Sequence, residues 1–173
     1  MKWLAIITAS LLLWGCTETT EEKVEEVKTE ISLPSTLFTS ANIDGAIPVL
    51  EARKLKAGDK VTVSGKIMGN RFPFVESRAS FILGDPKKLI SCDLKPDDPC
   101  EEPWDVCCED NEDIAAGTLN IQIVDNAGKV LKTGIEGKGG LKKLSTVIVE
   151  GIVDSSSTAE RMTINAEKVY VKK

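Results

Sequence analysis

Four of the five cysteines in this 173-residue chain lie in one short acidic segment, residues 91–113. The segment also holds ten carboxylates and a single lysine, Lys95. Thiols at this density support disulfide bonds, coordination of a soft metal ion, or reversible redox exchange. The four cysteines are therefore the first candidates for a functional site, and they are Cys92, Cys100, Cys107 and Cys108.

The chain contains no histidine. Histidine is the usual acid/base group near neutral pH and the commonest metal ligand. Its absence excludes Ser-His and Cys-His catalysis, histidine-ligated haem and histidine-containing zinc sites. Catalysis would have to rest on carboxylates, lysines or thiolates, and the sequence shows no constellation of them. We therefore expect a protein that is not an enzyme and that needs no cofactor.

Disulfide stapling is the interpretation we favour for the four clustered cysteines. The segment has three prolines and little apolar surface, so crosslinks of about 2–4 kcal/mol each would offset its missing core. Adjacent cysteines such as Cys107 and Cys108 rarely bond to each other, so each should reach Cys92 or Cys100. The apolar side chains that could anchor the segment are Leu94, Trp104 and Val106.

A metal site is the main alternative for the same four residues. Thiolates with neighbouring carboxylates bind zinc, iron or copper. Against this interpretation, the segment has no C-x-x-C motif, and adjacent cysteines seldom both bind one ion. A redox dithiol is a third interpretation, weakened because nothing in the segment is expected to lower a thiol pKa.

The fifth cysteine, Cys16, follows an apparent export signal at residues 1–15. Lys2 precedes an apolar stretch at 3–14 that is too short to span about 30 Å of hydrocarbon. Its end, Leu13-Trp14-Gly15-Cys16, resembles the lipobox of bacterial lipoproteins, in which the cysteine is acylated and becomes the new N-terminus. The resemblance implies a lipid on Cys16, attachment to the membrane, and a position in the bacterial cell envelope facing the periplasm or the exterior.

Charge divides the rest of the chain into contrasting parts. Residues 16–45 are polar and acidic, and we interpret them as a flexible tether behind the lipidated cysteine. Residues 92–113 carry ten acidic residues and one basic residue, a net charge of −9, whereas the mature chain outside this stretch and residues 17–33 carries +7. An acidic insert on a basic body can fold back on that body or bind a cationic partner.

From residue 46 onward the pattern is mainly β. Residues 60–68 alternate between apolar and polar, residues 78–83 and 118–124 form two further strands, and 146–154 with 162–171 form a closing hairpin. The first and fourth strands share the pattern V-x-V-x-G-x-I/V, and a mid-strand glycine indicates a bend. Pro48 near the start of residues 46–54 favours a short helix there.

This arrangement resembles the OB-fold, in particular exported bacterial OB-fold proteins. The resemblance rests on residues 61–67, 147–153 and 164–171. It implies an all-β fold: a small five-stranded OB-fold-like Greek-key barrel over residues 46–173, with the Cys-rich irregular insert at 91–113 and a short N-terminal helix. OB-folds usually carry a helix between strands three and four, where this chain is rich in glycine.

OB-folds often bind oligonucleotides or oligosaccharides on the face of strands two and three. The candidate ligand face here is formed by Arg71, Phe72, Phe74 and Arg78. An envelope location and an acidic insert that repels polyanions both disfavour nucleic acid. We expect a non-enzymatic envelope lipoprotein that binds an unidentified envelope protein or ligand. The alternative is a metal-binding or redox protein that uses the four clustered cysteines.

Overall fold

The computed structural model of the chain describes residues 32–95 and 99–173. The predicted signal peptide at 1–15, the predicted lipidation site Cys16 and the tether up to residue 31 lie outside the described residues, as do residues 96–98 of the insert. Within the described ranges, no helix has both the length and the apolar character needed to cross a membrane.

Five strands close into a small barrel. The strands of the described residues are β1 (Ile47–Pro48), β2 (Lys60–Ile67), β3 (Ser80–Gly84), β4 (Thr118–Gln122), β5 (Thr146–Val153) and β6 (Thr163–Val171). The barrel order is β2-β3-β4-β6-β5, and β5 pairs back with β2 to close it. Strands β4 and β6 run parallel, and the other barrel pairs are antiparallel. This is OB-fold connectivity, so the predicted all-β five-stranded barrel is confirmed.

The core follows the alternation that is visible in the sequence. The inward-pointing side chains of β2 and β4 are buried. They are Val61, Val63 and Ile67 on β2 and Leu119 and Ile121 on β4. The polar residues between them face outward and are more exposed. Each such buried side chain contributes about 1.5–3 kcal/mol relative to exposure, so the alternation largely determines which strand faces form the barrel interior.

The two V-x-V-x-G-x-I/V segments are β2 and β5, which pair with each other. A Cβ on Gly65 would lie 2.6 Å from Leu83 Cγ, and one on Gly151 would lie 2.3 Å from the carbonyl oxygen of Asn165. A β-bulge follows Glu150 in the pairing of β5 with β6. Each glycine therefore stands where a curved strand approaches a second partner, and the shared pattern reflects barrel curvature.

In the part of the chain that the structure describes, two short α-helices flank the barrel: α1 (Val49–Ala52) and α2 (Asn111–Gly117). The predicted short helix within residues 46–54 is present but shorter, and Pro48 is its N-cap rather than a residue of its first turn. The buried Asp85 carboxylate accepts hydrogen bonds from the backbone N–H groups of Leu50 and Lys87, which fixes α1 against the end of β3. Helix α2 lies between β3 and β4, whereas the stretch between β4 and β5 contains only the 3-10 turn Lys138–Gly140.

The predicted boundary between tether and barrel, at residues 45 and 46, is too late. Leu37 is buried in the barrel core, and Phe38 packs against it. The backbone N–H of Thr39 donates to the carbonyl of Val169 on β6, and Phe38 forms a parallel β-bridge with Val169. Two adjacent large apolar side chains in an otherwise polar stretch are enough to dock this segment, so the folded domain includes it.

Candidate metal centre

The insert packs against the barrel beside the end of β2. A second, small core joins Met68 of the barrel to Leu89 and Val106, with Ile114 of α2 against it. Val106 is fully buried, so its predicted role as an anchor is confirmed. Leu94 is 64% exposed, so the same prediction was wrong for that residue.

Backbone hydrogen bonds join two limbs of the insert, the first around Cys92 and Asp93 and the second around Pro103 and Asp105. The N–H of Cys92 donates to the carbonyl of Asp105 at 2.9 Å, and the N–H of Asp93 donates to the carbonyl of Pro103 at 2.9 Å. Cys92 also begins a 3-10 turn, Cys92–Leu94. This pairing brings the first cysteine of the insert beside the later pair, although more than a dozen residues separate them in sequence.

The cysteine sulfurs form a compact cluster. Cys107 Sγ lies 3.9 Å from Cys92 Sγ, 3.8 Å from Cys100 Sγ and 3.9 Å from Cys108 Sγ. Among the described residues, the ligand atoms of Cys92, Cys100 and Cys107 all lie within 4.8 Å of one another. A disulfide bond is about 2.05 Å long. Four sulfurs at about 2.3 Å from one zinc ion stand about 3.8 Å apart. The three distances from Cys107 Sγ are close to this value, although Cys108 Sγ does not belong to the set whose members are all mutually close.

Exposure increases across the cluster. Cys92 is 5% exposed, Cys100 is half-buried, and Cys107 and Cys108 are exposed. Burial, together with the neighbouring thiols, raises the pKa of Cys92, and the adjacent thiol of Cys100 raises the pKa of Cys107 to about 11. Thiols that are protonated at neutral pH are poor nucleophiles, which gives the redox interpretation no support. A metal ion would displace these protons and stabilise the thiolates.

Lys95 places one cation near the sulfurs. Its Nζ donates to Glu109 Oε1 at 2.8 Å, which raises the pKa of the lysine. Cys108 and Cys92 are close enough to act on the same lysine electrostatically. The ion pair therefore connects the two limbs of the insert and places its lysine near the thiols.

Lys66 of β2 joins the start of the insert to the barrel. Its Nζ donates to Ser91 Oγ at 2.9 Å and to the Asp93 carboxylate at 3.2 Å. A serine beside a lysine is an arrangement that can support nucleophilic catalysis. Ser91 is fully buried, however, and a substrate could reach it only if the insert moved away. We therefore interpret these three residues as a docking contact that sequence reasoning missed.

A second docking contact lies at the other limb. Trp104 Nε1 donates to the carbonyl of Arg71 at 2.9 Å, and Lys143 Nζ lies 4.0 Å from the centre of the Trp104 ring. The Arg71 guanidinium pairs with Glu102 at 2.7 Å. The acidic insert thus docks on cations of the body, as the uneven charge distribution suggested. Strand alternation cannot identify these partners because it does not show where an irregular segment folds.

The four residues of the candidate ligand face are placed differently from one another. Phe74 is buried, with its ring 6.0 Å from that of Phe81 in the core. Phe72 is 71% exposed, and the Arg71 guanidinium lies 5.6 Å from its ring centre. Arg78 is exposed. An open groove of about 400 Å³ adjoins this loop, and the residues lining it include Phe72, Val75, Ile135 and Lys143.

No protein-family model matches the chain, and a search of curated proteins gives no significant match. Among solved structures, the hypothetical protein ygiW from E. coli aligns with 81% of this chain and 100% of its own, with a TM-score of 0.37 and 14% sequence identity. The order and direction of the strands in this chain, rather than that similarity, establish the barrel fold.

Proposed function

We propose that this protein is a non-enzymatic, lipid-anchored protein of the bacterial cell envelope whose barrel carries a site for a soft, thiophilic metal ion. The observation that supports the site is the mutual approach of Cys92, Cys100 and Cys107 within 4.8 Å. Thiolates select ions such as Cu(I) and Zn(II). Without histidine in the chain, sulfur is the ligand by which the protein can discriminate these ions from calcium or magnesium.

The distribution of sulfur distances favours a metal over the disulfides that we preferred from the sequence. In a disulfide-bonded set, each sulfur has one bonded partner and the others lie farther away. Cys107 Sγ instead has three sulfur neighbours at nearly equal distances of 3.8–3.9 Å. Two of these neighbours, Cys92 and Cys100, also lie within 4.8 Å of each other, and such mutual proximity is what ligands around a shared ion require.

The envelope location is supported by the lipobox-like end at Cys16 and by the apolar stretch before it. An exported chain meets an oxidising environment, where clustered thiols become disulfides unless a metal ion protects them. Disulfide formation in that environment is therefore the main competitor to metal binding. Oligonucleotide or oligosaccharide binding stays a prediction, and the burial of Phe74 removes one of the side chains it would use.

Metal titration tests the proposed site directly. The full chain is purified in detergent under anaerobic reducing conditions, freed of reductant, and titrated with Co²⁺, Zn²⁺ and Cu(I). We expect one ion per chain and, with Co²⁺, the charge-transfer and visible bands of thiolate coordination. Cys92→Ser should lower the affinity by more than the roughly 10–100-fold loss that outer-shell substitutions cause, because it removes a ligand.

Two controls decide between thiolate binding and its competitors. Glu101→Gln removes an exposed carboxylate of the insert and should leave the affinity unchanged, and this result beside a large loss in Cys92→Ser would assign binding to the thiolates rather than to this carboxylate. Protein isolated without reductant is analysed by intact mass, thiol alkylation and elemental analysis. Absence of metal and of alkylatable thiols, with a mass loss of about four hydrogens, would replace the metal site by two disulfides.

A further inference from the structure

We infer that Cys108 is an exchange ligand, through which the ion enters and leaves the site, and that the protein passes its ion to a thiol-bearing partner. This inference rests on the proposed metal site. It distinguishes a carrier from a protein in which the metal only staples the insert. Three observations support it: the grouping of the sulfurs, their exposure and the charge around them.

The sulfurs divide into a set of three and one neighbour. In the part of the chain that the structure describes, Cys92, Cys100 and Cys107 form the set whose sulfurs are mutually close. Cys108 Sγ lies 3.9 Å from Cys107 Sγ, at one corner of that set. Because adjacent cysteines seldom both bind one ion in a fixed geometry, Cys107 and Cys108 are suited to alternate at the same coordination position.

Exposure shows from which side exchange would occur. The ion would have its protected side at Cys92, which is buried, and its open side at Cys107 and Cys108, which are exposed. Structural zinc sites are closed by four protein ligands, whereas a site with an accessible position admits an incoming ligand. A partner thiol can therefore reach the ion without unfolding the insert.

The exchange needs no redox co-reactant. An incoming thiol loses its proton and forms a bond to the ion, while one cysteine–metal bond of this protein breaks. The departing thiolate takes up a proton from water, so the two proton changes balance. In the first step the Cys108 thiol loses its proton and bonds to the ion, while the Cys107–metal bond breaks and the Cys107 thiolate takes up a proton. Each remaining cysteine–metal bond is then exchanged in the same way for an acceptor thiolate, and the oxidation state of the ion does not change.

The charge of the insert indicates the kind of partner. Between residues 92 and 113 the chain carries a net charge of −9, and exposed carboxylates of this stretch include Glu101, Asp110 and Glu112. Complementary charge accelerates encounter between partners. A thiol-bearing acceptor with a basic surface around its cysteines would thus be favoured over an acidic one.

The test measures affinity and transfer rate separately. Full-length protein in detergent is loaded with one equivalent of Zn²⁺ and mixed in a stopped-flow instrument with a C-x-x-C peptide in a lysine-rich or a glutamate-rich version. Cys108→Ser should keep the Zn²⁺ affinity within about threefold of wild type. The same variant should transfer the ion at least about tenfold more slowly, and the lysine-rich acceptor should react faster at low salt.

The possible results distinguish failure of the proposed metal site from failure of the exchange role of Cys108. Failure of the wild-type protein to take up Zn²⁺ during loading would refute the proposed site itself. Loss of affinity in Cys108→Ser equal to that in Cys92→Ser would make Cys108 a resident ligand and overturn the exchange role. Unchanged transfer by Cys108→Ser would also overturn it, and an unchanged circular dichroism spectrum would show that the variant remains folded.

Discussion

The mid-strand glycines show how single residues determine the curvature of the barrel. Gly151 lies beside the bulge in β5, with the carbonyl oxygen of Asn165 where a Cβ would stand. Gly65 meets Leu83 and the backbone of Gly84 in the same way. Neither glycine adopts a left-handed conformation, so space rather than backbone freedom requires them.

We predict that Gly151→Ala destabilises the protein by about 1–3 kcal/mol, since the added methyl group would overlap a backbone atom that cannot move alone. Gly134→Ala is the matched control, because no atom lies within 4 Å of its added Cβ, and it should stay within about 0.5 kcal/mol of wild type. Urea denaturation measures both. Equal stability of the two variants would contradict the packing argument.

The cysteine site shows what sequence can and cannot predict at this scale. The four cysteines stand out by type and spacing alone. Their mutual distances depend on the backbone bonds from Cys92 and Asp93 to Asp105 and Pro103, in a segment without periodicity. Sequence reasoning therefore identified the residues but favoured disulfides over the metal-like spacing that the structure has.

At the scale of elements, the insert behaves as a docked unit with identifiable contacts. Lys66 holds its first limb, and Lys143 covers the Trp104 ring of its second. A lysine over a tryptophan face contributes about 0.5–2 kcal/mol, more as the pair is desolvated. Lys143 Nζ also lies 3.9 Å from Glu136 Oε1 on the neighbouring loop.

We predict that Lys143→Glu loosens the insert, because it removes the cation from the Trp104 ring and adds repulsion towards an acidic segment. Lys142→Glu makes the same charge change at the adjacent exposed position and should have little effect. Trp3 and Trp14 belong to the predicted signal peptide, so Trp104 is the tryptophan of the mature chain, and acrylamide quenching of its fluorescence reports the docking. Equal quenching in the two variants would contradict this contact.

The elements themselves were largely predictable. The five barrel strands were predicted at nearly their observed bounds because alternation is a local property of the chain. Burial in and beside the insert was only partly predictable: Val106 was expected to be an anchor and is buried, whereas Leu94 was expected to be one and is exposed, and Met68 and Leu89 went unnoticed. Those side chains meet only after the insert docks, and no local pattern encodes that.

At the scale of the whole molecule, the predicted lipid on Cys16 would determine where the proposed metal site operates. We predict that Cys16→Ser abolishes acylation and moves the protein from the detergent phase to the aqueous phase in a detergent-partition experiment. The barrel should keep its melting temperature, because the domain that the structure describes begins after this residue. Mass spectrometry of the N-terminal peptide gives the direct readout, and an unmodified Cys16 in the wild-type protein would contradict lipidation.

The closing seam of the barrel has a consequence for how the chain folds. Lys66 of β2 pairs with Thr146 of β5, and Lys60 pairs with Ile152, so this seam joins segments from opposite ends of the domain. Contacts between such distant segments slow folding, and an unpaired strand edge favours aggregation meanwhile. A chain that crosses a membrane N-terminus first would deliver β2 well before its partner. Protection of the unpaired β2 edge from aggregation, until β5 and β6 have crossed, would then depend on a chaperone or on rapid translocation.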